Sequence, residues 1–145
     1  MREPLHIDWH AADIQRRITA GARLPLVRAC GLHKSPGLRI LDTTAGLGRD
    51  AYVLAQLGAQ VCMLERVPEV HDALAAALTN SATELQTRLK LSQCDAREYL
   101  AGLKPDQHDV AVIDPMFVAD SHHAKAKRDV QALRTLAGGD PDAES

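Results

Sequence analysis

Hydrophobic and polar residues alternate in blocks along most of this chain. Short apolar runs bounded by turn residues are typical of strands buried on both faces, and the stretches between them have helical periodicity. The pattern predicts four strands, at residues 38–42, 60–65, 89–94 and 109–114. Strands that alternate with helices in this way favour an α/β fold built on a parallel sheet.

Helical stretches are predicted between the strands and on either side of them. Gly58 is typical of the position just after a helix C-terminus, and Pro68 suits the first turn of the next helix. The predicted helical stretches cover residues 11–31, 48–57, 68–86, 96–103 and 121–139.

The composition is that of one ordinary globular domain, with 145 residues, 46% of them hydrophobic and 25% charged. No apolar run approaches the ~20 residues needed to span a bilayer, and the first residues lack the apolar core of a signal peptide. The three cysteines form no C-x-x-C pair, which favours free thiols in a reducing compartment. We therefore expect a cytoplasmic protein with no membrane contact and no metal site.

Charge is distributed unevenly around the small net value of −2. Residues 1–39 carry seven Lys or Arg and three Asp or Glu, whereas residues 40–117 carry six and eleven. Residues 118–136 are basic again, with four against two. Basic flanks suit a polyanion, although solvated helix surfaces explain the same charges.

A glycine-rich loop follows the first predicted strand. Gly46 and Gly48 allow the backbone to approach a ligand without interference from a Cβ atom, and the next helix presents free N–H groups. Residues 46–51 also match the dinucleotide fingerprint G-x-G-x-x-A, with Glu65 placed 19 residues after Gly46. An NAD-dependent oxidoreductase is therefore one alternative.

Two features of the loop argue against NAD. Three residues separate the strand from Gly46, and the carboxylate of Asp42 would repel a pyrophosphate but attract a sulfonium. S-adenosylmethionine has a sulfonium and a ribose but no phosphate, so Glu65 would bind the ribose hydroxyls and Asp95 the adenine amine. One acid at a strand end is usually a helix cap or turn residue, but here acids end four consecutive strands, at positions 42, 65, 95 and 114.

The motif D-P-M-F, residues 114–117, ends the fourth strand. The exocyclic amine of a nucleobase is a poor nucleophile, because its lone pair is delocalised into the ring. The Asp114 side chain and the Pro115 carbonyl would localise that lone pair by accepting both amine protons, and Phe117 would stack on the base. The motif thus predicts a site that catalyses methyl transfer mainly by positioning. A proline that ends a strand and a core phenylalanine are the structural alternative.

With D-T-T-A-G-L-G-R-D-A at 42–51, M-L-E-R at 63–66 and I-D-P-M-F at 113–117, the chain resembles the bacterial small-subunit ribosomal RNA guanine-N(2)-methyltransferases. The first motif departs from the family pattern at Thr43 alone. The resemblance implies a Rossmann-like, class I methyltransferase fold, a three-layer sandwich with about four of the usual seven strands. It also implies methyl transfer from S-adenosylmethionine to a guanine exocyclic amine of small-subunit ribosomal RNA, with S-adenosylhomocysteine as product.

The resemblance assigns further residues to the site. The D-P-M-F motif predicts Asp114, Pro115 and Phe117 as catalytic residues, and the resemblance implies that Asp114 contacts the cofactor as well. It implies RNA contacts from the basic stretch with Lys125, Lys127 and Arg128, for which a solvated helix is an equal alternative. The glycine loop itself predicts Asp42, Gly46 and Gly48 as cofactor-binding residues. The resemblance implies cofactor contacts from Arg49, Asp50, Glu65, Arg66, Asp95, Ala96 and Asp114.

The resemblance ends before the last strands of the family and lacks its N-terminal lobe, as in a truncated protein. We expect a helical segment at 1–37, the methyltransferase core at 38–137 and a flexible tail at 138–145. Four strands alone would leave the apolar fourth strand at an uncovered edge, which predicts self-association. A non-catalytic module that binds cofactor or RNA, and a methyltransferase acting on a DNA base or a small amine, are further alternatives.

Overall fold

The computed structural model of the chain describes residues 4–113 and the backbone of residues 131–134. Its single sheet has the order β3-β2-β1-β4-β5, in which the first four strands are parallel and β5 is antiparallel to β4. The α/β class is confirmed, and so are the four predicted strands, each to within one residue. The strands are β1 (Arg39–Asp42), β2 (Gln60–Glu65), β3 (Leu89–Gln93), β4 (Val110–Ile113) and β5 (Gln131–Arg134).

Six α-helices lie within the described residues. Two helices and a short 3-10 turn precede β1, and the others connect the parallel strands. None of these helices is both long and apolar enough to cross a bilayer. The helical elements are α1 (Ala12–Ala20), the 3-10 turn (Gly21–Arg23), α2 (Pro25–Cys30), α3 (Arg49–Gln56), α4 (Pro68–Thr79), α5 (Thr83–Arg88) and α6 (Ala96–Ala101).

The sheet is covered on both faces. Ile40 of β1 belongs to the larger core, which also contains buried residues of α1 to α5. Leu41 belongs to a second cluster with Leu64 and Ala111, against which Tyr99 of α6 packs. Because successive strand residues point to opposite faces, the complete burial of both Ile40 and Leu41 requires helices on both sides. This is the expected three-layer arrangement.

The helical stretch predicted at 68–86 is divided into α4 and α5. At the break, the Thr79 hydroxyl donates to the Ala75 carbonyl at 2.9 Å and the Ser81 hydroxyl donates to the Ala77 carbonyl at 2.8 Å. Such local bonds compete with continuation of the helix. The Gln86 side chain then donates to the Ser81 carbonyl at 2.9 Å and closes the connection.

The helix predicted at 121–139 is wrong at residues 131–134, which form β5, and the rest of that stretch lies outside the described residues. β5 pairs along the whole of β4, from Val110 with Arg134 to Ile113 with Gln131. An unpaired strand edge presents backbone N–H and C=O groups, and here a later segment of the same chain satisfies them. The prediction that the fourth strand lies at an uncovered edge is therefore wrong, and the self-association inferred from it loses its basis.

Burial in the larger core gives Cys30 an unusual pKa and a measurable pH dependence. Desolvation, with smaller effects from Asp50 and Asp42, raises the pKa of the thiol from 9.0 to about 12. The unfolded thiol loses its proton near pH 9 while the folded one keeps it, so stability falls as pH rises from about 9 to about 12. Between these pH values, we expect the free energy of unfolding of Cys30→Ala to fall less than that of the unchanged protein, by about 1.4 kcal/mol per pH unit. Urea unfolding of both proteins at pH 8 and pH 10.5 measures the two decreases. Equal decreases in the two proteins would contradict this prediction.

Candidate cofactor-binding site

The carboxyl ends of the parallel strands meet at one edge of the sheet. Asp42 is in register with Met63 of β2 and with Val112 of β4, and Glu65 is in register with Gln93 of β3. The predicted acids at 42, 65 and 95 therefore end neighbouring strands on the same side of the molecule. Ligands of open α/β sheets bind at such an edge.

Asp42 is buried, with only 3% of its surface exposed. Its Oδ1 accepts a hydrogen bond from the Thr44 N–H at 3.1 Å. Thr43, the residue that departs from the family pattern, donates to the Val112 carbonyl both from its N–H at 3.1 Å and from its hydroxyl at 2.9 Å. The loop thus leaves β1 while still attached to β4.

The glycine loop turns through two left-handed residues, Gly46 with φ 53° and Gly48 with φ 71°. Residues with a Cβ adopt this conformation only with strain. The Ala45 N–H donates to the Leu64 carbonyl at 3.4 Å, and the Gly48 N–H donates to the Ala45 carbonyl at 2.7 Å. These bonds connect the loop to β2 and close its turn.

The two glycines have different surroundings. Among residues 4–113, a Cβ on Gly46 would meet nothing nearer than the Thr44 carbonyl oxygen at 4.0 Å, so none of these residues crowds the backbone there. A Cβ on Gly48 would lie 2.8 Å from Leu74 and 3.0 Å from Trp9. Gly48 therefore permits close packing in the core and occupies the N-cap position of α3, whereas no described residue crowds Gly46.

The two predicted site residues at the start of α3 also differ in their surroundings. Arg49 is exposed. Asp50 accepts a hydrogen bond from the Arg17 guanidinium at 2.7 Å, with the two side chains 16% and 27% exposed. The carboxylate of Asp50 is thus held within the protein by a residue of α1.

Glu65 ends β2 and is partly buried. Its Oε2 accepts a hydrogen bond from the Val67 N–H at 3.0 Å. For Oε1 the structure shows no partner among residues 4–113, so that oxygen is an acceptor available at the edge. Arg66, which follows, is exposed.

Asp95 caps α6. Its Oδ1 accepts a hydrogen bond from the Arg97 N–H at 2.8 Å and lies 3.6 Å from the Arg97 guanidinium. That backbone hydrogen bond and the nearby Arg97 charge hold the pKa of Asp95 below its ordinary value. Ala96 packs against the cluster that contains Leu41. A bond from Asp95 to adenine stays a prediction.

All three strand-end acids make the same local contact. In each case one carboxylate oxygen accepts the backbone N–H two residues later, at Thr44, Val67 or Arg97. This contact shapes the turn after each strand and uses one of the two carboxylate oxygens. At Glu65 and Asp95 the turn role is therefore compatible with a ligand role for the same residue.

The remaining predicted site residues lie outside the described residues. These are Asp114, Pro115 and Phe117 of the D-P-M-F motif and Lys125, Lys127 and Arg128 of the basic stretch. The last described residues before the motif are Val112 and Ile113 of β4, which lie at the carboxyl edge of the sheet beside Asp42.

Sequence reasoning missed the residues that support the glycine loop. The indole N–H of Trp9 donates to the Leu47 carbonyl at 2.9 Å, and its ring stacks on Tyr52. The one available signal was that this chain has a single tryptophan, placed outside the predicted core elements. Its partner is 38 residues away, so the sequence pattern does not reveal the contact.

The arrangement is suited to a ligand with hydroxyl groups and a positive centre. Within residues 4–113 it combines an uncrowded backbone at Gly46, a Glu65 carboxylate oxygen with no partner and the buried acidic side chain of Asp42. Residues 4–113 contain no group of three or more His, Cys, Asp or Glu side chains placed to hold a metal ion. These features match S-adenosylmethionine better than a dinucleotide with its pyrophosphate.

Comparison with known proteins agrees with this geometry. A family model described as "Putative SAM-dependent methyltransferase" matches residues 1–145. A curated relative, ribosomal RNA small subunit methyltransferase J of Laribacter hongkongensis, is 41% identical over 138 residues, which cover 92% of this chain and 49% of that protein. The protein of the same name from Rhodopseudomonas palustris (strain TIE-1) is 43% identical over 138 residues, covering 91% of this chain and 66% of the relative. The chain thus spans about half to two thirds of their length.

A solved structure supports the same assignment. The SAM-dependent methyltransferase NGO1261 from Neisseria gonorrhoeae matches with a TM-score of 0.63 and 27% identity, over 81% of this chain and 50% of that one. The expected fold class, family and cofactor are confirmed by these matches. The chain, with its strand order and its acidic, glycine-containing edge, belongs to the S-adenosylmethionine-dependent methyltransferase family.

Proposed function

We propose that this chain is the cofactor-binding core of an enzyme that methylates the exocyclic amine of a guanine in small-subunit ribosomal RNA. The observation that carries the proposal is its 41% identity, over 92% of its length, with a relative named as a small-subunit ribosomal RNA methyltransferase. In the proposal, residues 38–137 form the methyltransferase core and residues 1–37 the helical segment that leads into it.

The described residues would hold the cofactor at the carboxyl edge of the sheet. S-adenosylmethionine, when bound, supplies an activated methyl group on a sulfonium. Glu65 would accept hydrogen bonds from the ribose hydroxyls, because its Oε1 is available there. The open backbone at Gly46 would allow close approach, and the negative charge of Asp42 would favour the cation.

The D-P-M-F motif would position the target base. The Asp114 carboxylate and the Pro115 carbonyl would accept the two amine hydrogens and so localise the nitrogen lone pair. Phe117 would stack on the base and limit its movement. A neutral amine nitrogen needs no strong base before it attacks the methyl group. The rate would therefore depend mostly on the positioning of the base and on an in-line approach.

The substrate would reach this edge through basic residues. Lys125, Lys127 and Arg128 would contact phosphates of small-subunit ribosomal RNA, either free or in the subunit. Such a substrate would place the enzyme in the cytoplasm.

Two other functions are separated from this proposal by experiment. Family membership favours S-adenosylmethionine over NAD, and the wide loop before Gly46 supports that choice. A module that binds cofactor or RNA without catalysis would retain affinity but transfer no methyl group.

Glu65 provides the test of the cofactor site. We expect the chain to bind S-adenosylhomocysteine with micromolar affinity, and Glu65→Gln to weaken binding tenfold or more, because about 1.5–3 kcal/mol is typical of hydrogen bonds to charged groups. Isothermal titration calorimetry measures both affinities.

The matched control is Glu84→Gln, which changes an exposed acid on α5 away from the edge. It should bind like the unchanged protein. Binding of NAD in place of S-adenosylhomocysteine, or equal affinity of the Glu65→Gln variant, would refute the proposed site.

Asp114 provides the test of catalysis. We expect the chain to transfer a labelled methyl group to small-subunit ribosomal RNA, and Asp114→Ala to lower the rate by about 100-fold or more through loss of positioning. The variant should keep most of its RNA affinity, because the basic residues are unchanged.

Nucleoside analysis of the product identifies the methylated atom. The proposal requires N2-methylguanosine, whereas a methyl group on another base atom or on DNA alone would overturn the substrate assignment. Tight cofactor and RNA binding without any transfer would identify a non-catalytic module.

A further inference from the structure

We propose that Trp9 and Arg17 are positioning residues that hold the glycine loop in the conformation that accepts the cofactor. This inference rests on the proposed function, because it takes the loop at residues 43–48 as the cofactor-binding loop. It assigns a role in the site to the segment before the sheet, which no motif of the sequence indicated.

Trp9 supports the loop from inside the core. Its side chain is 3% exposed, and its indole N–H donates to the Leu47 carbonyl at 2.9 Å. The ring stacks on Tyr52 of α3 with centroids 4.9 Å apart and an angle of 27° between the planes. It also lies directly against Gly48, where a Cβ would be 3.0 Å from the indole. One side chain thus contacts the loop, its second glycine and the following helix.

Arg17 fixes the other end of the same turn. Its guanidinium is 2.7 Å from the Asp50 carboxylate, which lies in the first turn of α3. Asp50 follows Gly48 by two residues, so the ion pair and the indole act on either side of Arg49. With one oxygen held by Arg17, Asp50 contributes to the site by fixing the loop.

The loop needs such support because of its glycines. Glycine has the greatest conformational freedom of all residues, and Gly46 and Gly48 both occupy the left-handed region. A loop that had to be ordered on binding would lower the affinity, whereas a loop held in advance avoids that loss. The Leu47 carbonyl, placed between the glycines, is the group whose orientation Trp9 determines.

The test separates positioning from simple core packing. Trp9→Phe keeps an aromatic ring for the stack on Tyr52 and removes the N–H donor, and Arg17→Gln removes the charge that pairs with Asp50. We expect each variant to bind S-adenosylhomocysteine about fivefold to tenfold more weakly by calorimetry, at a temperature where its circular dichroism shows a folded protein. Arg17→Lys should recover part of the affinity, because it restores the positive charge.

Arg23→Gln is the matched control, since Arg23 is exposed on the 3-10 turn after α1. It should bind like the unchanged protein. Trp9 is also the single tryptophan of the chain, so its emission should change when S-adenosylhomocysteine binds to the unchanged protein.

The outcomes distinguish the two proposals. If the unchanged protein binds and the Trp9→Phe and Arg17→Gln variants bind equally well, the positioning role is wrong while the cofactor site stands. If a variant melts at a lower temperature but keeps its affinity, its residue stabilises the core alone, which also overturns the inference. If the unchanged protein does not bind, both proposals fail together.

Discussion

Enclosure of β1 on all sides is the constraint on which the rest of the structure depends. Ile40 and Leu41 are completely buried on opposite faces of the sheet, and the backbone pairs with β2 on one side and β4 on the other. A strand buried in this way needs helices above and below it, and the connections that supply them make the sheet parallel. Its carboxyl end is therefore the place where the chain opens towards a ligand, just after Asp42.

The loop at that opening is attached to three separate parts of the chain. Thr43 bonds to Val112 of β4, Ala45 bonds to Leu64 of β2, and Leu47 accepts the indole N–H of Trp9. Because these attachments alternate with positions of high backbone freedom, the turn is defined by its surroundings more than by its own residues. The N-terminal segment thus contacts the loop and shares one core with the sheet.

The acids at the strand ends have a role in the fold and, in the proposed function, a second role in the site. Each of Asp42, Glu65 and Asp95 shapes the next turn through a backbone N–H two residues later. The bond uses a single oxygen, and at Glu65 the other is available at the sheet edge. Burial then distinguishes the acids, because Asp42 is buried whereas Glu65 and Asp95 are partly exposed.

Local pattern was enough to locate β1 to β4, the parallel sheet and the acids at its edge, because buried runs and turn residues are properties of neighbouring positions. The local pattern did not locate β5, because it predicts a helix at residues 131–134, which instead pair with β4. Nor did it reveal that Trp9 contacts the glycine loop 38 residues away, or that Arg17 contacts Asp50 at the start of α3, 33 residues away. The sequence by itself determined which segments form the four parallel strands and at which edge of the sheet the acids at 42, 65 and 95 lie. Tertiary structure alone decided what covers the edge of β4 and what holds the glycine loop, because those contacts depend on which distant surfaces meet when the core packs.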